Sequence, residues 1–311
     1  MGFLLPYPGG DGSWIDGALG AVALLDDLGA DASVEVLIGM PTELPAWDVV
    51  VCHGIQYEAL VRAAVSEPAI PSASAPNTGE LDARGAGGDG IRIRVPTIIM
   101  SDVPFDRTGL EGVTCIDWAW NAGAYCAGAV AASVSGGRPV GLIAGPAVRT
   151  QVRLAFAFAR GAARGPSAPE IVTIHLPSFA DVAGGTAAGT RLVESFGCAV
   201  VAHTADAAGA AGVDAAAAAG AGAGASGGGV ATMGFLSGEG GRLARIRSNI
   251  DGVLARLVRD AVAGRDLPPL VTCTFENGDL ALDLAPDAPP AAVEAAREAA
   301  SELARGDAQL P

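Results

Sequence analysis

The sequence lacks lysine altogether. All 19 of its basic residues are arginine, and 34 acidic residues leave a formal net charge of −15. Without lysine the chain can carry out neither Schiff-base chemistry nor phosphate binding by a lysine-containing loop. Its acidic field also repels phosphate backbones and anionic lipid headgroups. We therefore expect no nucleic acid among its partners and no direct membrane insertion.

Cysteines are few and scattered, and their number is odd. None of the five belongs to a C-x-x-C pair, which argues against both a disulfide framework and a zinc cluster. The sequence therefore predicts five free thiols, no metal and no cofactor. A thiol titration of the denatured protein should count all five.

The N-terminal segment does not resemble an export signal. Gly2–Leu5 is apolar but too short for the core of a signal peptide, and Pro6 ends it. We therefore expect a cytoplasmic location for the chain as given. An extracytoplasmic location is the alternative if a leader precedes this sequence.

The 311 residues amount to about two domains of ordinary size. Short β-rich runs alternate with stretches of helical period in two successive series, the pattern of βαβ units with parallel sheets. The first series predicts strands at 3–6, 34–38, 48–52 and 97–100 and helices at 14–28 and 56–65. The second predicts strands at 139–143, 171–175 and 199–203 and helices at 148–163 and 179–196.

The boundaries of two lobes follow from the segments between and after these series. Residues 122–133 are small, apolar and helical in period, and we expect them to end lobe one. Apolar spacing over 243–262 predicts a late helix that returns to that lobe, ahead of strands at 270–275 and 280–284. The predicted lobes are 1–135 plus 243–266 and 136–242 plus 267–288. Residues 289–311 form a C-terminal surface helix, expected at 290–305, and a tail.

Two turns at predicted strand ends share a pattern, and ligands of parallel α/β sheets bind beyond such ends. The motif S-W-I-D at residues 13–16 recurs as S-F-A-D at 178–181. Its serine can cap the next helix while the aspartate reaches back, as in a capping box. Trp14 and Phe179 would then occupy the first helical position in different lobes. They predict a stacking clamp for a planar ligand, with simple packing on the sheets as the alternative.

Polar residues follow other predicted strands. They are His53, Gly54, Tyr57 and Asp102 in the first series and His203, Thr204 and Asp206 in the second. At these positions the residues could either contact a ligand or have ordinary structural roles. His53, His203 and Asp102 could also converge in a cleft, which leaves open an enzyme that acts on a nucleobase or nucleoside with a histidine as acid or base. The sequence contains neither a G-x-S-x-G nor an H-E-x-x-H motif to support that alternative.

Several segments together resemble a known family. They are VVVCHGIQY at 49–57, AYCAGAVAA at 124–132, VGLIAGP at 140–146, SFAD at 178–181 and HTAD at 203–206. In this order and spacing they are similar to the basic membrane protein family of substrate-binding proteins, which includes the purine nucleoside receptors of bacterial ABC importers. The resemblance extends over most of the chain.

The resemblance implies a type I periplasmic-binding-protein fold, α/β in class, with two Rossmann-like lobes and a ligand cleft between them. It implies a protein that closes on a small molecule without transforming it and works with an ABC transporter permease. Trp14, Tyr57 and Phe179 would stack on the ligand. Its polar contacts would be Asp11, Asp102, His203 and Asp206, joined in our expectation by His53, Gly54, Asp181 and Thr204.

One departure from the family affects the predicted ligand. The family places an acidic residue after the segment at 231–235, where this sequence has Leu236 followed by serine and glycine. Because that acid would hold a ribose, its absence favours a free purine base, or a different ligand altogether, over a nucleoside. A cytosolic ligand sensor is a third hypothesis, beside the binding protein and the enzyme.

Overall fold

The computed structural model describes residues 1–9, 14–25, 33–66, 96–103, 106–164, 168–222, 229–236 and 243–310. Two six-stranded sheets and the helices that flank them make up this part of the chain. The α/β class and the two-sheet architecture predicted from the sequence are confirmed.

The first sheet contains β1 (Gly2–Leu5), β2 (Glu35–Ile38), β3 (Val49–Cys52), β4 (Thr97–Met100), β5 (Val113–Trp118) and the late strand β11 (Leu270–Cys273). Its strand order is β11-β5-β4-β3-β1-β2, and the pairings among β1 to β5 are parallel. Between these strands lie α1 (Trp14–Ala23), a short 3₁₀ turn (Ile55–Tyr57) and α2 (Glu58–Ser66).

The second sheet contains β6 (Val140–Ala144), β7 (Ile171–His175), β8 (Val200–His203), β9 (Ala231–Phe235), β10 (Ala244–Ser248) and β12 (Leu280–Leu284). Its order is β12-β10-β9-β8-β6-β7, with β12 antiparallel to β10 and the other pairs parallel. The helices that follow β5 along the chain are α3 (Trp120–Val134), α4 (Arg149–Ala162), α5 (Val182–Glu194), α6 (Asp206–Gly222), α7 (Ile250–Val262) and α8 (Pro290–Arg305).

The chain divides into two compact units. The first comprises Met1–Pro8, Leu25–Asp117 and Ala255–Val271, and the second comprises Gly9–Leu24, Trp118–Leu254 and Thr272–Pro311. Both α1 and α3 belong to the second unit, although the sequence analysis assigned their residues to lobe one. A lobe is a part of the protein that moves as a rigid body, whereas these units are defined by compactness. The lobe boundaries therefore stay a prediction.

Apolar residues from alternate positions of β1, β3 and β4 form a core in the first unit. Leu4, Val50, Cys52, Ile98 and Met100 are all buried there. Beside this core the ring of Trp47 covers the first strand, since a Cβ at Gly2 would come within 2.4 Å of that ring. The indole Nε1 of Trp47 donates to the Glu35 carboxylate at 3.2 Å. Trp47 is therefore a packing residue, as its position before a strand suggests.

Glycine allows the helices of the second unit to approach each other closely. A Cβ at Gly128 in α3 would lie 2.0 Å from the Phe158 carbonyl oxygen in α4. One at Gly161 in α4 would lie 1.9 Å from the Tyr125 carbonyl oxygen in α3. Since no Cβ fits at such distances, the two backbones touch reciprocally at these glycines. The small residues at 122–133 therefore allow α3 to pack closely against α4.

The C-terminal helix α8 has the bounds predicted from the sequence and is held by one acidic side chain. Glu302 accepts a hydrogen bond from the Tyr125 hydroxyl at 2.7 Å and another from Arg164 Nε at 2.6 Å. Arg164 also lies over the ring of Tyr125, 5.8 Å from its centroid. Buried Ala292 and Ala299 complete the contact, so α8 is an integral part of the second unit.

Two predicted elements need correction, and one strand was missed. The helix predicted over 243–262 begins only at Ile250, because Ala244–Ser248 alternates buried and exposed side chains and pairs as β10 with two neighbours. The late strand at Leu270–Cys273 joins the first sheet, whereas the predicted boundaries assign residues 267–288 to lobe two. Strand β5 at Val113–Trp118 was not predicted.

All five cysteines are free and buried, which confirms the predicted free thiols (Cys52, Cys115, Cys126, Cys198 and Cys273). Burial raises the pKa of the Cys52 thiol to about 12 and that of Cys198 to about 11. Thiolate is the reactive form, so these side chains are inert at neutral pH. No helix within the described part of the chain has the length and apolarity needed to cross a membrane.

Candidate functional site

Strand register brings two polar residues together at the carboxyl edge of the first sheet. Cys52 is opposite Met100 in the β3–β4 pair, so the next residues, His53 and Ser101, are neighbours. The Ser101 hydroxyl lies 2.7 Å from His53 Nδ1, and both side chains are fully buried. A serine beside a histidine is an arrangement used by hydrolases. Here neither side chain is accessible to a substrate in this conformation.

Gly54 and Tyr57 complete the turn after β3. Gly54 has a φ of 125°, and a Cβ there would lie 2.2 Å from Gln56 Oε1, so the turn requires glycine. The ring of Tyr57 is fully buried, and its hydroxyl donates to the Gly39 carbonyl oxygen at 2.8 Å. Tyr57 therefore packs in the core of the first unit, and in this conformation its ring offers no surface for stacking.

Asp102 is partly exposed, unlike His53, Gly54 and Tyr57. Its Oδ1 accepts a hydrogen bond from the Val103 amide at 2.8 Å. Burial raises the pKa of Asp102 to about 6, and the nearby Asp117 carboxylate adds to the rise. Of the described residues predicted for this edge, Asp102 is the one that keeps exposed surface, and its contact with a ligand stays a prediction. Asp11 lies outside the described residues.

Polar side chains converge at the carboxyl edge of the second sheet on Gln151, near the start of α4. Gln151 Oε1 accepts from the Thr204 hydroxyl at 2.6 Å and from the Gly145 amide at 3.0 Å. Both Gln151 and Thr204 are buried. Gln151 thus ties the turn after β6 to the turn after β8, and sequence reasoning did not single it out.

The S-F-A-D turn differs from the predicted capping box. Helix α5 begins at Val182, and Asp181 is its N-cap, with Oδ1 accepting the Gly184 amide at 2.9 Å. Ser178 was expected to cap the helix but accepts from the Ala180 amide instead, at 3.1 Å. Phe179 therefore lies in the preceding turn rather than at the first helical position, because the helix is capped three residues later than predicted, at Asp181.

The Phe179 ring is partly exposed and rests on the backbone of the turn after β6. A Cβ at Gly145 would lie 2.2 Å from its Cε1 atom. The carbonyl oxygen of Phe179 accepts the Ala208 amide at 3.0 Å, which ties this turn to α6. Phe179 is thus held by backbone contacts on two sides while part of its ring stays accessible.

Asp206 opens α6 with a φ of 43° and is buried. Positive φ is rare for residues other than glycine, although aspartate tolerates it better than most. Strained backbone tends to occur where a side chain has to be aimed for function. The strain supports the functional interest of the turn after β8 that the sequence predicted.

Four aromatic rings form a cluster in the second unit, at strand ends and helix starts. Trp14 opens α1, Trp118 ends β5, Trp120 opens α3 and Phe235 ends β9. Ring centroids of the three tryptophans lie 5.7–6.1 Å apart, and Trp120 lies 5.0 Å from Phe235. Trp14 and Trp120 keep part of their surface exposed, whereas the other two rings are buried. We call these four residues the aromatic cluster.

Sequence reasoning identified only Trp14 among these four. The signal for two others is the motif D-W-A-W at 117–120, which holds two of the four tryptophans in a chain with 5% aromatic residues. Phe235 carries no comparable signal. Trp14 and Phe179 both lie in the second unit, whereas the predicted clamp placed them in different lobes. That each stacks on a ligand stays a prediction.

His203 is buried at the end of β8. Its Nε2 accepts the Phe235 amide at 3.3 Å, which leaves the proton of the neutral ring on Nδ1. Among the described residues Nδ1 has no hydrogen-bond partner. Burial lowers the pKa of His203 to about 4. The ring is therefore neutral at physiological pH.

This depressed pKa predicts a pH-dependent stability. Protonation favours the unfolded chain, where the pKa is near 6.5, so the contribution of His203 is complete above about pH 6.5 and is lost as the pH falls towards 4. At about 1.4 kcal/mol per pH unit, the free energy of unfolding should fall by about 2–3 kcal/mol between pH 7 and pH 4.5. Urea unfolding of the wild type and His203→Gln at both pH values measures this. An equal loss in both proteins would contradict the prediction.

Comparisons with known proteins show a similarity over part of the chain. Residues 98–224, from β4 to the end of α6, match the family Bmp, described as ABC transporter substrate-binding protein PnrA-like. The resemblance to the basic membrane protein family is thus confirmed. This Bmp segment contains four of the five motifs that carry the resemblance, together with Asp102, Trp118, Trp120, Phe179 and His203. No curated protein sequence is similar enough to count as a relative.

Solved structures show the same fold at low sequence identity. An ABC transporter solute-binding protein from Aeropyrum pernix is 16% identical with a TM-score of 0.72, and the match covers 99% of this chain and 92% of the other. A transcriptional activator of the comK gene from Bacillus halodurans is 16% identical with a TM-score of 0.70, covering 100% and 99%. A periplasmic solute-binding protein from Actinobacillus succinogenes with bound D-allose is 13% identical with a TM-score of 0.60, covering 90% and 95%. The periplasmic-binding-protein fold of this chain is therefore established.

Proposed function

We propose that this protein is a solute-binding protein that takes up a planar, purine-like molecule without transforming it. The observation that carries the proposal is the aromatic cluster, in which Trp14 and Trp120 are partly exposed at the starts of α1 and α3. Aromatic rings stack on the faces of nucleobases, and each such contact contributes about 1–3 kcal/mol. The Bmp match over 98–224 supports substrate binding as the activity.

A sugar is the competing ligand class. The Actinobacillus succinogenes protein of similar fold binds D-allose, and aromatic rings also pack against the apolar faces of sugars. A sugar presents many hydroxyl groups and needs several polar partners, whereas a purine base needs a stacked ring and a few contacts. The aromatic cluster brings four rings together, and the Thr204 hydroxyl already donates its hydrogen bond to Gln151. The number of aromatic rings relative to polar partners therefore favours a purine base over a sugar as the ligand.

The enzyme alternative has less support from the site geometry. His53 is fully buried beside Ser101, and His203 is buried with its Nε2 engaged by the Phe235 amide. A general acid or base must come within hydrogen-bonding reach of its substrate. In this conformation neither histidine has the accessible surface to do so. Asp102, with its pKa raised to about 6, is the remaining titratable candidate.

Two measurements test the proposed function. Mass spectrometry of small molecules released from the denatured protein should recover an intact purine base or nucleoside. Calorimetry of the stripped protein with adenine, hypoxanthine, adenosine and D-allose should then rank the purines above the sugar. Recovery of a sugar, or release of a product from any of these compounds during incubation, would refute binding of an unaltered purine.

Partner and location follow from the same proposal. A solute-binding protein that supplies an ABC importer delivers its ligand to a membrane permease from outside the cell membrane. A sensor would instead remain in the cytoplasm, the location that the sequence predicts. Fractionation of the native host with an antibody against this chain separates the two. Protein found only in the cytosol would favour a sensor and exclude a permease partner.

A further inference from the structure

A single hydrogen bond connects His203 to the aromatic cluster. The amide that donates to His203 Nε2 belongs to Phe235, the last residue of β9. The Phe235 ring in turn contacts Trp120, with centroids 5.0 Å apart and planes inclined at 38°. The imidazole at the end of β8 therefore fixes the backbone that carries one ring of the cluster, and that ring packs against a partly exposed tryptophan.

The other edge of the imidazole is fixed by α6. A Cβ at Gly209 would lie 2.3 Å from His203 Nδ1 and 2.6 Å from its Cγ, so the ring rests directly on this glycine. Alanine is the better helix former by about 1 kcal/mol, which makes glycine at a helical position costly unless space requires it. Contact with the ring supplies that requirement. His203 is held between α6 on one side and the Phe235 amide on the other.

This enclosure argues against a direct role in binding. His203 is 4% exposed, and its Nε2 lone pair is already engaged by the amide. A ligand could reach that nitrogen only by displacing Phe235. The sequence analysis assigned His203 as a polar contact to the ligand, and the geometry gives it a different function.

We propose that His203 is a positioning residue, which holds Phe235 and through it Trp120 in the arrangement that stacks on the ligand. The proposal rests on the proposed function, because it assigns His203 a function in the same binding site. What matters is an acceptor at the position of Nε2. Glutamine can place its Oε1 there, whereas leucine fills a similar volume without an acceptor.

The test compares His203→Leu with His203→Gln by near-ultraviolet circular dichroism and by calorimetry with the purine that the wild type binds. The leucine variant leaves the Phe235 amide buried without an acceptor, so its tryptophan signal should change and its affinity should fall by about tenfold. His203→Gln should keep the wild-type signal and an affinity within about threefold, since the acceptor is retained. Far-ultraviolet dichroism shows that each variant is folded.

Two further variants keep the test decisive. Gly209→Ala pushes on the imidazole from the other side and should change the tryptophan signal as His203→Leu does, even if the leucine variant fails to fold. Ser135→Ala removes a buried hydroxyl that donates to the Ala132 carbonyl oxygen at the far end of α3. It should lower stability without changing the tryptophan signal.

The outcomes separate this proposal from the proposed function. A tryptophan signal unchanged in folded His203→Leu and Gly209→Ala would overturn the positioning function, even if the wild type binds a purine. Equal damage by glutamine and leucine would overturn the requirement for an acceptor. If the wild type binds no purine, the proposed function fails, and the dichroism spectra still decide whether His203 positions the aromatic cluster.

Discussion

Gly128→Ala should lower the free energy of unfolding by about 2–3 kcal/mol, although alanine is the better helix former. The gain in helix propensity is about 1 kcal/mol. Against it stands a Cβ placed 2.0 Å from the Phe158 carbonyl oxygen, a backbone atom that can move only if α3 and α4 separate. Overpacking of this kind costs about 1–3 kcal/mol and more where backbone has to move. Thermal unfolding should show a midpoint lower by about 3–5 °C.

Gly161→Ala should have a similar effect, because its Cβ would lie 1.9 Å from the Tyr125 carbonyl oxygen at the same contact. The double variant should lose less than the sum of the two, since one separation of the helices accommodates both methyl groups. Ser133→Ala, at an exposed position of α3, is the control and should change stability by less than about 0.5 kcal/mol. A Gly128→Ala protein as stable as the wild type would show that α3 and α4 are not in backbone contact.

Most of the fold could be predicted from local sequence patterns. Strands at 97–100, 171–175 and 280–284 and the helix at 290–305 have their predicted bounds. These segments are either continuous apolar runs flanked by turn residues or strongly periodic helices, whose signals need no tertiary contact. Their alternation also predicts parallel sheets, because two parallel strands need a crossover connection, which is usually a helix.

The predicted secondary structure was wrong where the apolar residues of one stretch fit both a helical and a strand-like spacing. Residues 244–262 contain apolar positions that fit a helical spacing throughout. In β10, however, Ile246 and Ala244 face inward while Arg245 and Arg247 share the Asp283 carboxylate on β12. That pairing is between strands far apart in the chain, so no local signal reveals it. Tertiary context decides such cases.

Strand ends could be located from the sequence, but the accessibility of their residues could not. His53, Tyr57 and His203 were all placed at the correct edges, yet all three are buried by neighbours from other strands. A residue after a strand can point into the core or towards a ligand, and the choice depends on which polar groups the adjacent strand brings. The two histidines point into the core because Ser101 forms a hydrogen bond with His53 and the Phe235 amide donates one to His203.

Trp14→Ala should weaken binding of the purine ligand by about tenfold to a hundredfold. Stacking of a base on an aromatic ring contributes about 1–3 kcal/mol, and 1.4 kcal/mol is a factor of ten in affinity. Trp14 keeps exposed surface while its edge contacts with Trp118 and Trp120 fix the orientation of the ring. A ring held in this way loses little freedom when a ligand stacks on it, so little of the stacking energy is offset. Calorimetry with the recovered purine measures the change.

Two matched variants separate stacking from packing. Trp14→Phe retains a ring and should recover most of the affinity lost in Trp14→Ala, whereas a general disruption of the second unit would affect both. Trp47→Ala removes a tryptophan that packs on Gly2 in the first unit, so it should lower stability and leave affinity unchanged. Because the two alanine variants lose side chains of the same size, only the ring that contacts the ligand should change the dissociation constant. Wild-type affinity in a folded Trp14→Ala protein would remove Trp14 from the site and, with it, the main support for a purine.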